Sequence, residues 1–131
     1  MIVLDASAIV ELVTETARGV AVARRIDDPR VGLHAPHLVD VEVAQALRRY
    51  EGAGDLGGGR ATAALHAFLE LDLERHDHGP LLPRAWELRA NLTAYDAVYV
   101  ALAEALDVAL VTCDARLARA PGLSRRVELI A

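Results

Sequence analysis

The stretch LTAYDAVYVALAEALDVALVTCD, residues 92–114, combines a helical pattern with a strand pattern. The predicted helix is apolar on nearly all its faces, because every residue from Ala97 to Leu102 except Tyr99 is aliphatic and Tyr99 is aromatic. This pattern indicates a buried helix. The short apolar run 108–113 follows directly and is typical of a buried strand. A helix that leads straight into a buried strand favours the α/β class. Two acids, Asp96 and Asp114, interrupt this otherwise apolar stretch, and their positions need a physical reason.

The rest of the chain repeats the alternation of strand and helix patterns. Strands are predicted at 2–4, 31–35, 71–76, 108–113 and 127–130. Helices are predicted at 7–15, 17–27, 37–51, 60–71, 81–92 and 93–107, with a helical turn at 115–120. We therefore predict a single domain over residues 1–131, an α/β fold with a mainly parallel central β-sheet of about five strands and helices on both faces.

Composition excludes several classes of protein. The chain has 131 residues, of which 53% are hydrophobic, so it can bury one core. No apolar run approaches the roughly 18 residues of a membrane span, and the N-terminus lacks a basic signal-peptide start, so we expect a soluble cytoplasmic protein. All 14 basic residues are arginine. Because P-loop and phospho-aspartate chemistry require a lysine, both are excluded.

Four acids from distant parts of the chain are predicted to meet at one edge of the sheet. Asp5 and Asp114 each follow a predicted strand, and parallel strands all end at the same edge. Asp96 lies in the first turn of the helix that precedes the strand of Asp114, and Glu42 lies within the first two turns of another helix that starts there. Open α/β sheets bind ligands at this edge. A cluster of carboxylates needs protons or cations, and oxygen ligands favour Mg²⁺ or Mn²⁺.

Each acid also has a purely structural interpretation. Thr93 and Asp96 have the spacing of a capping box, and an acid in the first turn suits the helix dipole. Asp5 and Asp114 could each cap the helix that follows. Glu42 fits this interpretation least, because its helical neighbours at i−4, i−3 and i+4 are all apolar. Because four acids with unrelated structural roles would rarely gather at one edge of the sheet by chance, their positions favour one shared functional site.

The ordered set of motifs resembles the PIN-domain ribonucleases, and most closely the VapC toxins of bacterial toxin-antitoxin systems. The motifs are MIVLDASAIVELV (1–13), HLVDVEVAQAL (37–47), LTAYDAVYVALAEAL (92–106) and LVTCDARLA (110–118). The resemblance implies an endoribonuclease that depends on Mg²⁺ or Mn²⁺. The catalytic and metal-binding positions that it implies are Asp5, Glu42, Asp96 and Asp114. Ser7 and Thr112 match small hydroxyl positions that support the metal or substrate, although local hydrogen bonds to the backbone would also explain them.

The expected mechanism is hydrolysis of an RNA phosphodiester bond. One or two metal ions held by the carboxylates would orient the phosphate and lower the pKa of a water that attacks in line. The resemblance implies 5′-phosphate and 3′-hydroxyl products. It also implies a VapB-like antitoxin that blocks the acidic site, and a homodimer. No nucleotide cofactor and no membrane partner are expected.

The net charge of −5 must be reconciled with an RNA substrate, because phosphates dominate such binding. Four of the 19 acids belong to the predicted site, so bound divalent cations would offset part of the charge. Candidate substrate contacts are the pairs Arg24-Arg25 and Arg48-Arg49, and Arg116 with Arg119. Surface solvation is the alternative interpretation of each pair.

The sequence contains two other motifs, and two other functions are compatible with it. Gly52, Gly54 and Gly57 satisfy G-x-G-x-x-G, but they follow a helix rather than a strand, so we predict a helix end and a connection. His76 and His78 could bind a transition metal, but we predict exposed loop histidines. A catalytically silent PIN-like module that binds RNA or protein, and a nuclease directed at DNA, remain as alternative functions.

Overall fold

The computed structural model describes residues 1–123 and 126–131. Within these residues the chain forms one five-stranded sheet in which every neighbouring pair is parallel. The strands are β1 (Ile2–Leu4), β2 (Leu33–Pro36), β3 (Leu73–His76), β4 (Ala109–Thr112) and β5 (Val127–Leu129). Their order across the sheet is β3-β2-β1-β4-β5. The predicted α/β class and parallel sheet are confirmed.

Helices cover both faces of this sheet. In the described residues they are α1 (Ala6–Val13), α2 (Ala17–Arg25), α3 (Leu38–Gly52), α4 (Arg60–Glu70), α5 (Leu82–Glu87), α6 (Ala94–Leu106) and α7 (Ala115–Ala118), with a 3₁₀ turn at Gly79–Leu81. The first four pack on one another, whereas α6 packs on α5 and crosses β1, β2 and β4. None of the helices in the described ranges is long and apolar enough to cross a membrane.

The core lies around the first strand, which occupies the middle of the sheet. Val3 and Leu4 on β1 and Leu110 and Val111 on β4 are completely buried. Strands buried on both faces explain why these segments are continuous apolar runs rather than alternating ones. On α6 every residue from Ala97 to Ala103 is buried, as its apolar surroundings predict.

The order of the strands places a crevice beside β1. From β1 the chain moves outward in one direction to β2 and β3, and then crosses to the other side for β4 and β5. The connections therefore diverge between β1 and β4, where doubly wound sheets leave a crevice at the carboxyl ends of the strands. Asp5 and Asp114 follow these two strands directly or after one residue.

Several predictions about individual segments differ from the observed structure. The helix predicted at 81–92 ends at Glu87, because the backbone turns over 88–92 so that Thr93 can cap the next helix. The second strand lies at Leu33–Pro36 rather than 31–35. The prediction that His76 and His78 are exposed loop histidines is wrong for His76, which is the last residue of β3 and is partly buried. His78 follows β3 but is also partly buried, and its Nε2 accepts a 2.9 Å hydrogen bond from the N–H of Leu38.

Two glycine features shape the layer formed by α1 to α4. Helix α2 lies so close to α1 that a Cβ atom on Gly19 would be 1.9 Å from the carbonyl oxygen of Glu11. The glycine-rich segment 52–59 ends α3 and leads into α4, and Gly59 adopts a positive φ of 82° at the start of that helix. As predicted, this segment is a helix end and a connection rather than a dinucleotide-binding turn.

Candidate active site

Asp5 is the most deeply buried acid of the predicted site. It follows β1 and caps α1, and only 5% of the residue is exposed. One carboxylate oxygen, Oδ1, accepts hydrogen bonds from the Ser7 hydroxyl at 2.7 Å and from the backbone N–H of Ala8 at 3.0 Å. The other oxygen accepts from the Thr112 hydroxyl. Burial raises the pKa of Asp5, the hydroxyl donors oppose that rise, and the charge of Asp114 adds to it.

The two predicted hydroxyl residues connect the ends of β1 and β4. Ser7 Oγ lies 3.2 Å from Thr112 Oγ1 and accepts a 2.9 Å hydrogen bond from the backbone N–H of Cys113. Thr112 is completely buried and accepts from the N–H of Asp114 at 2.9 Å. Both hydroxyls therefore bind the local backbone, as one of the two interpretations has it, and also donate to Asp5; their support of a metal or substrate stays a prediction.

Asp114 combines a helix cap with a partly open carboxylate. Its Oδ1 accepts from the backbone N–H groups of Arg116 at 2.9 Å and Leu117 at 3.3 Å, which caps α7. Its Oδ2 lies 3.6 Å from the guanidinium of Arg116. Because 29% of the Asp114 side chain stays exposed, the capping role leaves carboxylate surface available.

Asp96 lies in the first turn of α6, next to the helix cap. The cap is Thr93, whose hydroxyl accepts a 3.2 Å hydrogen bond from the N–H of Asp96. Burial raises the pKa of Asp96, and the charge of Asp114 raises it further. Arg116 and the Thr93 side chain act in the opposite direction. Asp114 and Arg116 thus act on the pKa of Asp96 in opposite directions.

Glu42 has a partner that sequence analysis did not identify. The hydroxyl of Tyr99 donates a 2.6 Å hydrogen bond to Glu42 Oε1, and Tyr99 is only 2% exposed. Burial raises the pKa of Glu42, Tyr99 lowers it, and the charges of Asp96 and Asp5 raise it. Burial also holds the pKa of Tyr99 far above its usual value, so it remains a donor. Tyr99 is three residues after Asp96, and this helical spacing was the available signal.

The four acids line one cleft of about 370 Å³. Ser7 and Arg116 also line it, whereas Thr112 lies beneath, behind Asp5. Carboxylates that are partly desolvated and face one another favour protonation or a cation. The donor set consists of carboxylate and hydroxyl oxygens, which suits a hard dication such as Mg²⁺ or Mn²⁺. The types of donor atom in the cleft therefore suit such an ion.

Residues 2–123 match the protein family described as "PIN domain". The chain belongs to the PIN-domain family. It is 43% identical over 129 residues to Ribonuclease VapC1 of Mycobacterium tuberculosis, covering 98% of this chain and 96% of that protein. It is 44% identical over 131 residues to Ribonuclease VapC12 of the same species, covering 100% of both chains.

Among solved structures, this PIN domain is similar to the crystal structure of Mycobacterium tuberculosis VapC20, titled a "Sarcin-Ricin loop cleaving toxin". The TM-score is 0.67, and the match covers 95% of this chain and 97% of the other. Since the two sequences share 18% identity, this likeness supports the fold alone. The family resemblance seen in the sequence motifs is confirmed.

Arginines surround the acidic cleft of this PIN domain. Arg116, whose side chain is 82% exposed, and Arg49 line it, so the structure brings these two predicted candidates to the acids. Arg25 instead pairs with Glu128 at 2.7 Å. Arg18 was not predicted, yet it lines the cleft and donates to the carbonyl oxygen of Cys113 at 3.3 Å. The cleft therefore has cationic groups at its rim as well as acids at its base.

Proposed function

We propose that this chain is a metal-dependent endoribonuclease toxin of the VapC type. The observation that carries the proposal is the cleft in which Asp5, Glu42, Asp96 and Asp114 converge from four elements. The relatives named ribonucleases support RNA as the substrate. In this proposal the four acids are catalytic and hold Mg²⁺ or Mn²⁺, and the whole chain, residues 1–131, acts as one domain.

The side chains of the cleft have separable roles in this mechanism. A divalent cation bound there would lower the pKa of water and offset phosphate charge. Asp5 is held rigidly by Ser7, Thr112 and the N–H of Ala8, which fixes the direction of its carboxylate. Tyr99 occupies one oxygen of Glu42 and so orients the other. The exposed guanidinium of Arg116 would contact the RNA phosphates.

The proposal includes partners and a location. A VapB-like antitoxin would hold the toxin inactive by blocking the acidic cleft, and the toxin would act in the cytoplasm as a homodimer. The exposed apolar side chains of Val20 on α2 and Leu69 on α4, which are 47% and 63% exposed, support burial of further surface against another chain.

The test is cleavage of total bacterial RNA by the purified protein with Mn²⁺ or Mg²⁺. We expect discrete cuts that disappear in EDTA and fall at least about 100-fold in Asp96→Asn, which keeps the shape of the side chain but lacks its charge. The same reaction with single-stranded DNA of matching sequence separates the two substrates. A folded wild type that cuts neither nucleic acid in the presence of metal would favour the silent binding module.

The raised pKa values of the acids predict that both the stability of the metal-free protein and its stabilisation by Mg²⁺ depend on pH. Because burial raises the pKa values of Asp5, Glu42 and Asp96, the folded state retains protons at a pH where the unfolded chain has lost them. The metal-free protein should therefore lose stability as the pH rises from about 4 through these raised pKa values. Protons and Mg²⁺ compete for the same oxygens, so the rise in Tm caused by Mg²⁺ should grow over that interval.

Thermal unfolding with and without a fixed concentration of Mg²⁺, from pH 4 to pH 8, measures this effect. Asp96→Asn should show a smaller rise in Tm at every pH. A metal-induced rise in Tm that is constant across the interval would contradict binding at ionised carboxylates of raised pKa.

A further inference from the structure

A second group of metal-ligating side chains lies across β2 and the edge strand β3. It consists of His34 on β2 and of Glu74 and His76 on β3. His34 Nδ1 is 2.8 Å from His76 Nε2 and 3.5 Å from Glu74 Oε2. One ligand atom from each residue can be chosen so that all three lie within 4.8 Å of one another. Among the His, Cys, Asp and Glu side chains of the described residues, this is the group that meets the 4.8 Å limit.

The register of the parallel strands brings these residues together on one face. His34 is paired with Glu74, and Pro36 with His76, so alternation directs the three side chains to the same side. Arg75, which lies between Glu74 and His76, points the other way and donates to Asp40 on α3 at 2.7 Å. Successive side chains of β3 therefore make contacts on opposite faces of the sheet: Glu74 and His76 on the face of His34, and Arg75 on the face of α3.

This group is separate from the acidic cleft. None of its three residues lines that cleft, and β2 lies between β3 and β1, the strand that Asp5 follows. The donor atoms also differ, because two imidazole nitrogens and one carboxylate favour Zn²⁺ and similar transition metals over Mg²⁺. The two groups are therefore chemically distinguishable in the same protein.

The distances are close to those that a zinc ion requires. Ligand atoms bound at about 2.0–2.1 Å in a tetrahedral site lie about 3.3 Å apart. The nitrogens of His34 and His76 are 2.8 Å apart and would separate slightly, and Glu74 Oε2 already lies 3.5 Å from His34 Nδ1. The side chain of His34 is only 9% exposed, whereas that of Glu74 is 69% exposed, so the group has a fixed base and an open side.

We infer that His34, Glu74 and His76 bind a transition-metal dication such as Zn²⁺, which joins the edge strand β3 to β2. Three protein ligands leave one position for water, as in other zinc sites with an open side. This site is independent of the nuclease proposal.

Calorimetric titration of the untagged, full-length protein with Zn²⁺, in buffer that contains excess Mg²⁺, tests the inference. Substitution is best made at the exposed side of the group, because His34 is buried and its loss could prevent folding. His76→Gln and Glu74→Gln should weaken Zn²⁺ binding, the former by about 100-fold or more, since even outer residues of metal sites contribute 10- to 100-fold. His66→Gln is the matched control, because that histidine is exposed on α4.

The visible spectrum of bound Co²⁺ gives a second readout, since its intensity reports a site of low coordination number with nitrogen ligands. We expect the signal in the wild type, in His66→Gln and in Asp96→Asn, and its loss in His76→Gln. Cleavage of RNA with Mn²⁺ should be unchanged in His76→Gln. Equal Zn²⁺ affinity in the wild type and His76→Gln, or loss of the binding in Asp96→Asn, would overturn the inference.

Discussion

Asp5→Asn is expected to reduce RNA cleavage at least about 100-fold while the protein remains folded. Asparagine caps helices as well as aspartate does, so it can still accept the hydrogen bond from the N–H of Ala8 that begins α1. It lacks the negative charge that the proposed metal site needs. The substitution therefore separates the capping role of Asp5, which the structure shows, from the proposed catalytic role.

In contrast to RNA cleavage, which should fall, the stability of the Asp5→Asn variant should rise or stay constant. Asp5 is 5% exposed and its pKa is raised by burial, so above that pKa its ionised form costs folding free energy when no cation is bound. A neutral amide removes this cost. In metal-free buffer at neutral pH we expect the Tm of Asp5→Asn to equal or exceed that of the wild type. Asp72→Asn, at an exposed position before β3, should change neither cleavage nor Tm.

The two measurements together identify the role of Asp5. RNA cleavage is followed at saturating Mn²⁺, and thermal unfolding is followed by circular dichroism in EDTA. If Asp5→Asn lowered the Tm by many degrees and cleavage fell only because less folded enzyme was present, the acid would be a cap and a packing residue. The proposed metal position would then be lost.

Gly19→Ala is expected to destabilise the protein by about 3 kcal/mol or more. The added Cβ would lie 1.9 Å from the carbonyl oxygen of Glu11 and 2.6 Å from its carbonyl carbon. Both are backbone atoms of α1, so no side-chain rotation can relieve the overlap. Helix α2 must move away from α1, and the packing between the two helices must loosen.

Gly57→Ala is the matched control, because no heavy atom lies within 4 Å of the Cβ position there. It should change the free energy of unfolding by no more than about 0.5 kcal/mol. Urea unfolding of the three proteins measures both values. A loss below 1 kcal/mol in Gly19→Ala would show that the two helices separate at little cost.

The fold and the meeting of the four acids could be predicted from sequence because both follow from local patterns and one topological rule. Apolar runs mark the strands, and parallel strands must end at one edge, so acids just after β1 and β4 are neighbours whatever lies between them. The same rule placed Asp96 and Glu42 at the helix starts on that edge. Their assignment as metal ligands stays a prediction.

The contacts that orient these acids could not be predicted in the same way. Thr112 and Asp5 are 107 positions apart, and Tyr99 and Glu42 are 57 apart, and no local period relates such pairs. The strand register that places His34 beside His76 is equally non-local. It depends on how β2 and β3 align, which short apolar runs do not specify.

The central position of β1 has a consequence for synthesis of the protein. Strand β1 is completed on one side by β4, the fourth strand of this sheet along the chain. A growing chain contains Asp5 and Glu42 early, but the carboxylate cluster cannot close until Asp114 and the strand before it have emerged. A nascent fragment that ends before Asp114 therefore lacks the full set of acids, and the cluster becomes complete only after β4 has been translated.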